Sequence, residues 1–370
     1  MSKLEEFRRV YQDRFPLWRE RKAQGQQIVG WICNYIPEEV FAAAGVLPIR
    51  VGGGARETPL GDAYFYANTC TFVRNCMELG LRGEYDFLDG LVTVNTCDHI
   101  RRLFDVWQHY LRTPFTQIYH LPCKISTATE DFFLEELHQL QEDIEKYLGV
   151  TIEDNALWEA IRLYNRTRSL LHHLYELRRR DDPPMTGAET LEAFLPSLVL
   201  PKEEYNSLLE ELIEELEQRP SPALGKVRLM IIGSQLDDPE YYRLIEDQGA
   251  VVVIDDLCHG TKYFWDMVEG EGDPWRSLAQ RYLQKPSCPH MHPMGTRLEH
   301  LLSLAHDFRV QGILYQTIKF CDPHAEVFPV VRDAFQGASI PVLNLEREYL
   351  PAGAGQWKTR IQAFLESLEM

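Results

Sequence analysis

Short apolar runs and amphipathic stretches alternate along this chain. Four runs lie near its start: IVGWICNY (28–35), GVLPIRVGG (45–53), GLVTVN (90–95) and FTQIYHLP (115–122). They read as buried parallel strands, which form short apolar runs bounded by turn residues. Helical stretches such as PEEVFAAAG (37–45) separate them, with Pro37 suited to a first turn and Gly45 to its end. This alternation predicts an open α/β sheet.

From about residue 130 to 219 the period changes. DFFLEELHQLQEDIEKYLG, ALWEAIRLYNRTRSLLHHLYELRRR and KEEYNSLLEELIEELEQR carry apolar residues at helical spacing. RPSPALG (219–225) breaks the pattern, and strand-like runs resume at KVRLMIIG (226–233), AVVVIDD (250–256), VQGILYQTIKF (310–320) and IPVLNLE (340–346). QWKTRIQAFLESLEM predicts a closing helix. The expected fold class is α/β, with two Rossmann-like parallel-sheet domains at 1–130 and 223–370 joined by a helical connector at 131–222. The two series could be a diverged duplication, which the residues alone do not establish.

At 370 residues, 45% hydrophobic and 25% charged, the chain has the composition of a folded protein long enough for two domains. Its 38 Lys+Arg against 56 Asp+Glu leave a net charge of −18. That balance argues against a duplex nucleic-acid binder, which needs clustered cations for phosphates. It leaves room for a local basic pocket. MSKLEEFRRVYQDRF has no apolar targeting core, and no run of ~18 apolar residues follows it, so a cytoplasmic protein without a membrane span is expected. In a reducing compartment the 8 cysteines suit packing, reactivity or metal ligation rather than disulfides.

Their positions favour ligation. Cys33, Cys97, Cys123, Cys258 and Cys321 all stand at carboxyl ends of predicted parallel strands, the edge at which open α/β sheets bind ligands. Cys70, Cys76 and Cys288 fall in connecting segments, NTCTFVRNC and KPSCPHMHP. Soft thiolates in number suit zinc, copper(I) or iron–sulfur clusters. The paired C-x2-4-C spacing of zinc sites is missing, and so is the clustered cysteine run of a bacterial ferredoxin. A cluster held by widely separated thiolates fits better. No G-x-x-x-x-G-K-[ST] occurs, and Gly52, Gly53 and Gly54 read as a tight turn rather than a dinucleotide fingerprint.

These segments carry a family resemblance. CNYIPEEVFAAAGVLPIRVGG (33–53), ANTCTFVRNCMELGL (67–81), DFLDGLVTVNTCDHIRRLFDVW (86–107), VVVIDDLCHGTKYF (251–264), LAQRYLQKPSCP (278–289), VQGILYQTIKFCDPH (310–324) and IPVLNLEREY (340–349) together resemble the 2-hydroxyacyl-CoA dehydratase and benzoyl-CoA reductase subunit family. The resemblance spans nearly the whole chain in family order. It implies tandem Rossmann-like domains, an oxygen-sensitive iron–sulfur cluster between them, and electrons from a separate ATP-hydrolysing activator protein. The missing phosphate-binding loop agrees with that division of labour.

The dehydratase subunits hold one 4Fe-4S cluster on three cysteines, which match Cys70, Cys97 and Cys321 here. Cys33, Cys258 and Cys288 are surplus, and they make the chain look like the homodimeric branch with a double-cubane 8Fe-9S cluster, whose members reduce small molecules. Cys76 is an alternative to Cys70 or Cys33, although a helix starting at Phe72 turns it away; Cys123 reads as packing. Glu38, Glu39 and His259 are candidate proton donors beside the ligands, and His99, His290 and His324 stand near ligands too. The two glutamates read equally well as acids at a helix N-terminus, and each histidine as a hydrogen-bonding or surface residue. The expected activity is low-potential reduction of a small molecule by this cluster. The alternatives are a dehydratase or reductase subunit acting on CoA esters, and a non-catalytic electron store.

Overall fold

The computed structural model describes residues 2–368 apart from 55, 56, 224, 287 and 350–353. Two four-stranded parallel sheets organise it. The first contains β1 (Ile28–Trp31), β2 (Leu47–Arg50), β3 (Gly90–Val94) and β4 (Phe115–Tyr119), in the order β2-β1-β3-β4. The second contains β5 (Val227–Gly233), β6 (Ala250–Asp256), β7 (Gly312–Ile318) and β8 (Val342–Arg347), in the order β6-β5-β7-β8. Every pairing is parallel. The two sheets therefore share one topology, and in each the order reverses beside the first strand, between β1 and β3 and between β5 and β7. All eight predicted strands are present.

Helices Thr127–Leu148, Asp154–Glu176, Gly187–Phe194 and Lys202–Glu217 lie between the sheets in sequence. Ser126 and Thr129 cap each other at the start of the first, which therefore begins earlier than its apolar period suggests. Gly149 ends it with φ 69°, a left-handed conformation natural to glycine. The short helix Gly187–Phe194 has no clear apolar period in the sequence, although TGAE is a capping-box signature and Thr186 and Glu189 form that box.

One buried apolar cluster runs from Val29, Trp31 and Val92 of the first sheet through Leu171 and Leu209 of these helices to Leu229 and Ile313 of the second. A second cluster, with Phe15, Trp18, Ile28, Leu91 and Trp107, covers the other face of the first sheet. Gly52, Gly53 and Gly54 all have positive φ, as a turn after β2 requires. Among the described residues no helix is long and apolar enough to cross a membrane.

Candidate functional site

The carboxyl edges of the sheets carry the thiols. Cys33 follows β1, Cys97 follows β3, Cys258 follows β6 and Cys321 follows β7. Cys70 and Cys288 arrive from the segments that lead into β3 and β7. Cys70, Cys97 and Cys321 are also the N-cap residues of the helices Thr71–Leu81, Asp98–Tyr110 and Asp322–Gly337. The positive end of a helix dipole favours a thiolate there.

Electrostatics divides the six into two groups. Cys70, Cys97 and Cys321 each lie within range of the others' charge. Cys33, Cys258 and Cys288 do likewise. The groups touch through Cys97 with Cys33 and through Cys321 with Cys258. Each group mixes residues from both sheets, so neither half of the chain assembles one alone. Burial pushes the Cys321 thiol up to about 11 and that of Cys288 up to about 12, and it raises Cys33, Cys70 and Cys97 as well. These thiols keep their protons near neutral pH until a cation displaces them.

Local hydrogen bonds fix the second group. Thr96 Oγ1 donates to Cys33 Sγ at 3.6 Å, and the Cys288 N–H donates to the Tyr35 hydroxyl at 3.1 Å. The Cys258 carbonyl accepts from Asn34 Nδ2 at 2.9 Å and from Arg50 at 3.1 Å. Lys285 Nζ donates to the Asn34 carbonyl at 2.6 Å and lies 4.5 Å from the centre of the Tyr35 ring. Burial pulls the pKa of Lys285 well below the usual lysine range, and the neighbouring Arg281 adds to this, while Cys33 and Cys258 oppose it. Lys262 pairs with Asp256 at 3.2 Å, and Arg297 pairs with the same carboxylate. Sequence reasoning does not single out any of these cations. The available signal is Arg50, a charge closing the otherwise apolar run GVLPIR, and Lys285, three residues before Cys288.

The remaining candidates lie elsewhere. Cys76 is buried among Asp237, Arg50, Tyr85 and Tyr349, and its charge reaches Cys70 among the proposed ligands. Cys123 is exposed rather than packed: β4 ends at Tyr119 and the chain turns outward, with the Cys123 carbonyl accepting from the His292 N–H at 2.7 Å. Glu38 pairs with Lys202 at 3.2 Å. Glu39 pairs with Arg168 and accepts from the Tyr282 hydroxyl at 2.8 Å. Burial alone would raise Glu39, yet Arg168 and Arg281 outweigh it and hold the carboxyl below its ordinary value, which suits an ion pair better than a proton donor.

His259 is buried with no partner for Nδ1, and burial, with Arg50 and Arg347, holds it neutral. His324 is fixed more tightly. The Tyr315 hydroxyl donates to the His324 carbonyl at 2.9 Å and lies 3.2 Å from Nδ1, and Nε2 is buried without a hydrogen-bond partner among the described residues. The His99 Nδ1 accepts from the Cys70 N–H at 3.4 Å.

Two cavities approach the thiols. One of about 260 Å³ is lined by Thr96, Cys97, His99, Arg101, His290 and Asp322. Another of about 510 Å³ reaches Lys285 between His172, Trp265, Asp266, Arg281 and Gln284.

The 2-hydroxyglutaryl-CoA dehydratase, D-component family matches residues 33–368, the span that begins just after β1 and holds the other seven strands and all six thiols. The chain belongs to that family. It is 25% identical to the (R)-phenyllactyl-CoA dehydratase beta subunit of Clostridium sporogenes, over 95% of this chain and 94% of the relative. A benzoyl-CoA reductase subunit of Thauera aromatica is 26% identical over 89% of this chain and 87% of its own length. The (R)-2-hydroxyglutaryl-CoA dehydratase subunit beta of Acidaminococcus fermentans is 24% identical over 99% and 98%.

The family implies an iron–sulfur cluster, and the donors present suit one. Six soft thiols converge from both sheets, Cys70 buried and the other five partly so, with Arg50, Lys262 and Lys285 nearby to offset anionic charge. Among the described residues no three His, Cys, Asp or Glu side chains come together as the ligands of a single ion. A cubane does not need that, because each of its thiolates binds a different iron.

Proposed function

We propose that this family member is a low-potential iron–sulfur reductase with a double-cubane 8Fe-9S centre, one half held by Cys70, Cys97 and Cys321 and the other by Cys33, Cys258 and Cys288. The observation that carries this reading is that six thiols stand at or beside the carboxyl edges of the two sheets, with Cys70, Cys97 and Cys321 at helix N-caps and Cys33, Cys258 and Cys288 held around Thr96, Asn34 and Tyr35. When bound, such a centre supplies single electrons at low potential. The residues around it hold the thiolates, exclude water and surround them with positive charge. Electrons come from a separate ATP-hydrolysing activator protein, the working unit is a homodimer, and the substrate is a compact molecule admitted without a CoA groove.

A second reading is a subunit of a 2-hydroxyacyl-CoA dehydratase or benzoyl-CoA reductase. The relatives favour it, since those named above are subunits of such enzymes. Iron analysis of anoxically purified protein separates the two. About eight irons per chain are expected for two cubanes and about four for one. The same reduced preparation is then offered acetylene, azide or hydrazine, and separately a 2-hydroxyacyl-CoA with a second subunit. Turnover of the CoA ester alone overturns the reductase reading, and no turnover of either class leaves an electron store.

A further inference from the structure

The two thiol groups are polarised by different devices. Three helix N-termini face Cys70, Cys97 and Cys321, and each contributes a partial charge of roughly half an electron. Beside Cys33, Cys258 and Cys288 stand the basic side chains of Arg50 and Lys285 instead.

Arg50 and Lys285 are 5% and 2% exposed. Both are clamped on Asn34, Arg50 to its side-chain oxygen and Lys285 to its carbonyl. Their other hydrogen bonds also go to neutral oxygens, those of Cys258 and Gln235 for Arg50 and of Lys262 for Lys285. Lys262 and Arg297 share Asp256, but neither Arg50 nor Lys285 pairs with a carboxylate among the described residues. A buried cation without a counter-ion is costly, which is why Lys285 gives up its proton more easily than an ordinary lysine; an anion bound beside it restores the charge. Asp266 lies within range of Lys285 without pairing with it, and the thiols stand beside both cations: Asn34 adjoins Cys33, Arg50 holds the Cys258 carbonyl, and the Tyr35 ring under Lys285 carries the hydroxyl that accepts from Cys288.

We propose that Arg50 and Lys285, fixed on Asn34, are positioning residues that raise the reduction potential of the half held by Cys33, Cys258 and Cys288 without governing the other half. The proposal rests on the two-cubane reading above. Each step it concerns is the gain of one electron from an external one-electron donor, with no bond made or broken. Added negative charge is stabilised by nearby fixed positive charge, and a buried charge is screened far less than one in water. The helix-capped half should feel these two cations less, because their hydrogen bonds go to Asn34, Gln235, Cys258 and Lys262 and to none of Cys70, Cys97, Cys321 or their sequence neighbours.

The test is a mediated redox titration of the iron-loaded homodimer followed by electron paramagnetic resonance. Iron content of the wild type is fixed first: a value near four counts against the two-cubane reading, whereas the next measurement judges the cations alone. In Lys285→Gln one reduction step should become at least tenfold less favourable, a fall of about 59 mV for one electron, while the other stays in place. Lys285→Arg should restore most of it. Retention of about four irons, with the remaining signal unshifted, also supports the assignment, since only the uncompensated half is then lost. Both steps unmoved, both moved equally, or loss of all iron from a folded variant would overturn it. If Lys285→Gln does not fold, Arg50→Gln is read in the same way, and failure of both to fold assigns the pair a purely structural role.

Discussion

Each sheet has a first crossover helix that carries buried acid, and the two helices are anchored in opposite ways. Between β1 and β2, Glu38 and Glu39 of the helix Glu38–Ala43 reach cations of the connecting helices, Lys202 and Arg168. Between β5 and β6, Glu246 at the end of the helix Pro239–Glu246 accepts three backbone N–H groups, from Gly187 at 2.6 Å and from Ala188 and Val252 at 3.1 Å. The first sheet has strands of four and five residues, whereas β5, β6 and β7 have seven each; β1, β2, β3, β6 and β7 are buried at every position. Where apolar strands bury enough surface, backbone amides suffice to seat the acid. Where strands are short, whole ion pairs tie the sheet to its neighbour. The carboxyls reflect this: burial raises Glu246 despite its three donors, while Glu39 ends below its ordinary value because Arg168 and Arg281 outweigh burial.

The largest effect should come from breaking an ion pair. Arg168→Met leaves Glu39 charged, buried and unpaired, and should lower the unfolding free energy by about 3–5 kcal/mol in urea titrations at pH 7. A loss below 1 kcal/mol would show that the ionic anchor matters no more than a surface pair.

Glu246→Gln should cost less, about 1–3 kcal/mol, since one oxygen survives and the amide nitrogen faces a donor it cannot satisfy. A greater loss than in Arg168→Met would invert the comparison.

Acid should then move the two variants in opposite directions. Glu39 has a lowered folded pKa, so its contribution is present above the unfolded value of about 4.3 and is lost as pH falls through the folded one. Without Arg168 the same carboxyl titrates higher, and the deficit of Arg168→Met should shrink as pH drops from 7 towards 4. Glu246 has a raised folded pKa, so its contribution is complete below the unfolded value and lost as pH rises through the folded one. The wild type gains this on acidification and Glu246→Gln does not, so that deficit should grow. Parallel changes in the two urea series would refute the assignment.

Cys123→Ser should be the smallest perturbation, with no measurable change in urea midpoint or iron content. The side chain is exposed, and the residue's hydrogen bond to His292 uses only its carbonyl. Loss of iron would bring Cys123 into the ligand set.

The strands are legible in the sequence because buried parallel strands are apolar runs between turn residues, a local pattern that tertiary context rarely overturns. The placing of Cys33, Cys97, Cys258 and Cys321 at the carboxyl edges of the sheets follows from strand direction, whereas that of Cys70 and Cys288 does not. The long-range partners are not legible. Nothing near Glu39 in sequence points to Arg168, a residue on the amphipathic period of a helix whose charged side chain looks solvent-facing until the helix is docked. Lys285 and Arg50 escape notice for the same reason: cations are assumed to face water, and burial shows only when both sheets are in place. Cys123 illustrates the converse, since a strand-end position implies burial and the early end of β4 turns it outward.

The sharing of each thiol group between both sheets has a consequence for biosynthesis. A ribosome adding ~5–20 residues per second releases Cys321 roughly 10–45 s after Cys97. During that interval the nascent chain presents Cys33, Cys70 and Cys97 as an incomplete set, open to oxidation or to capture of an unwanted metal. If these thiols hold a cluster, its loading would have to follow the emergence of Cys321, and slowing translation before the second sheet should increase the fraction of polypeptide that emerges damaged.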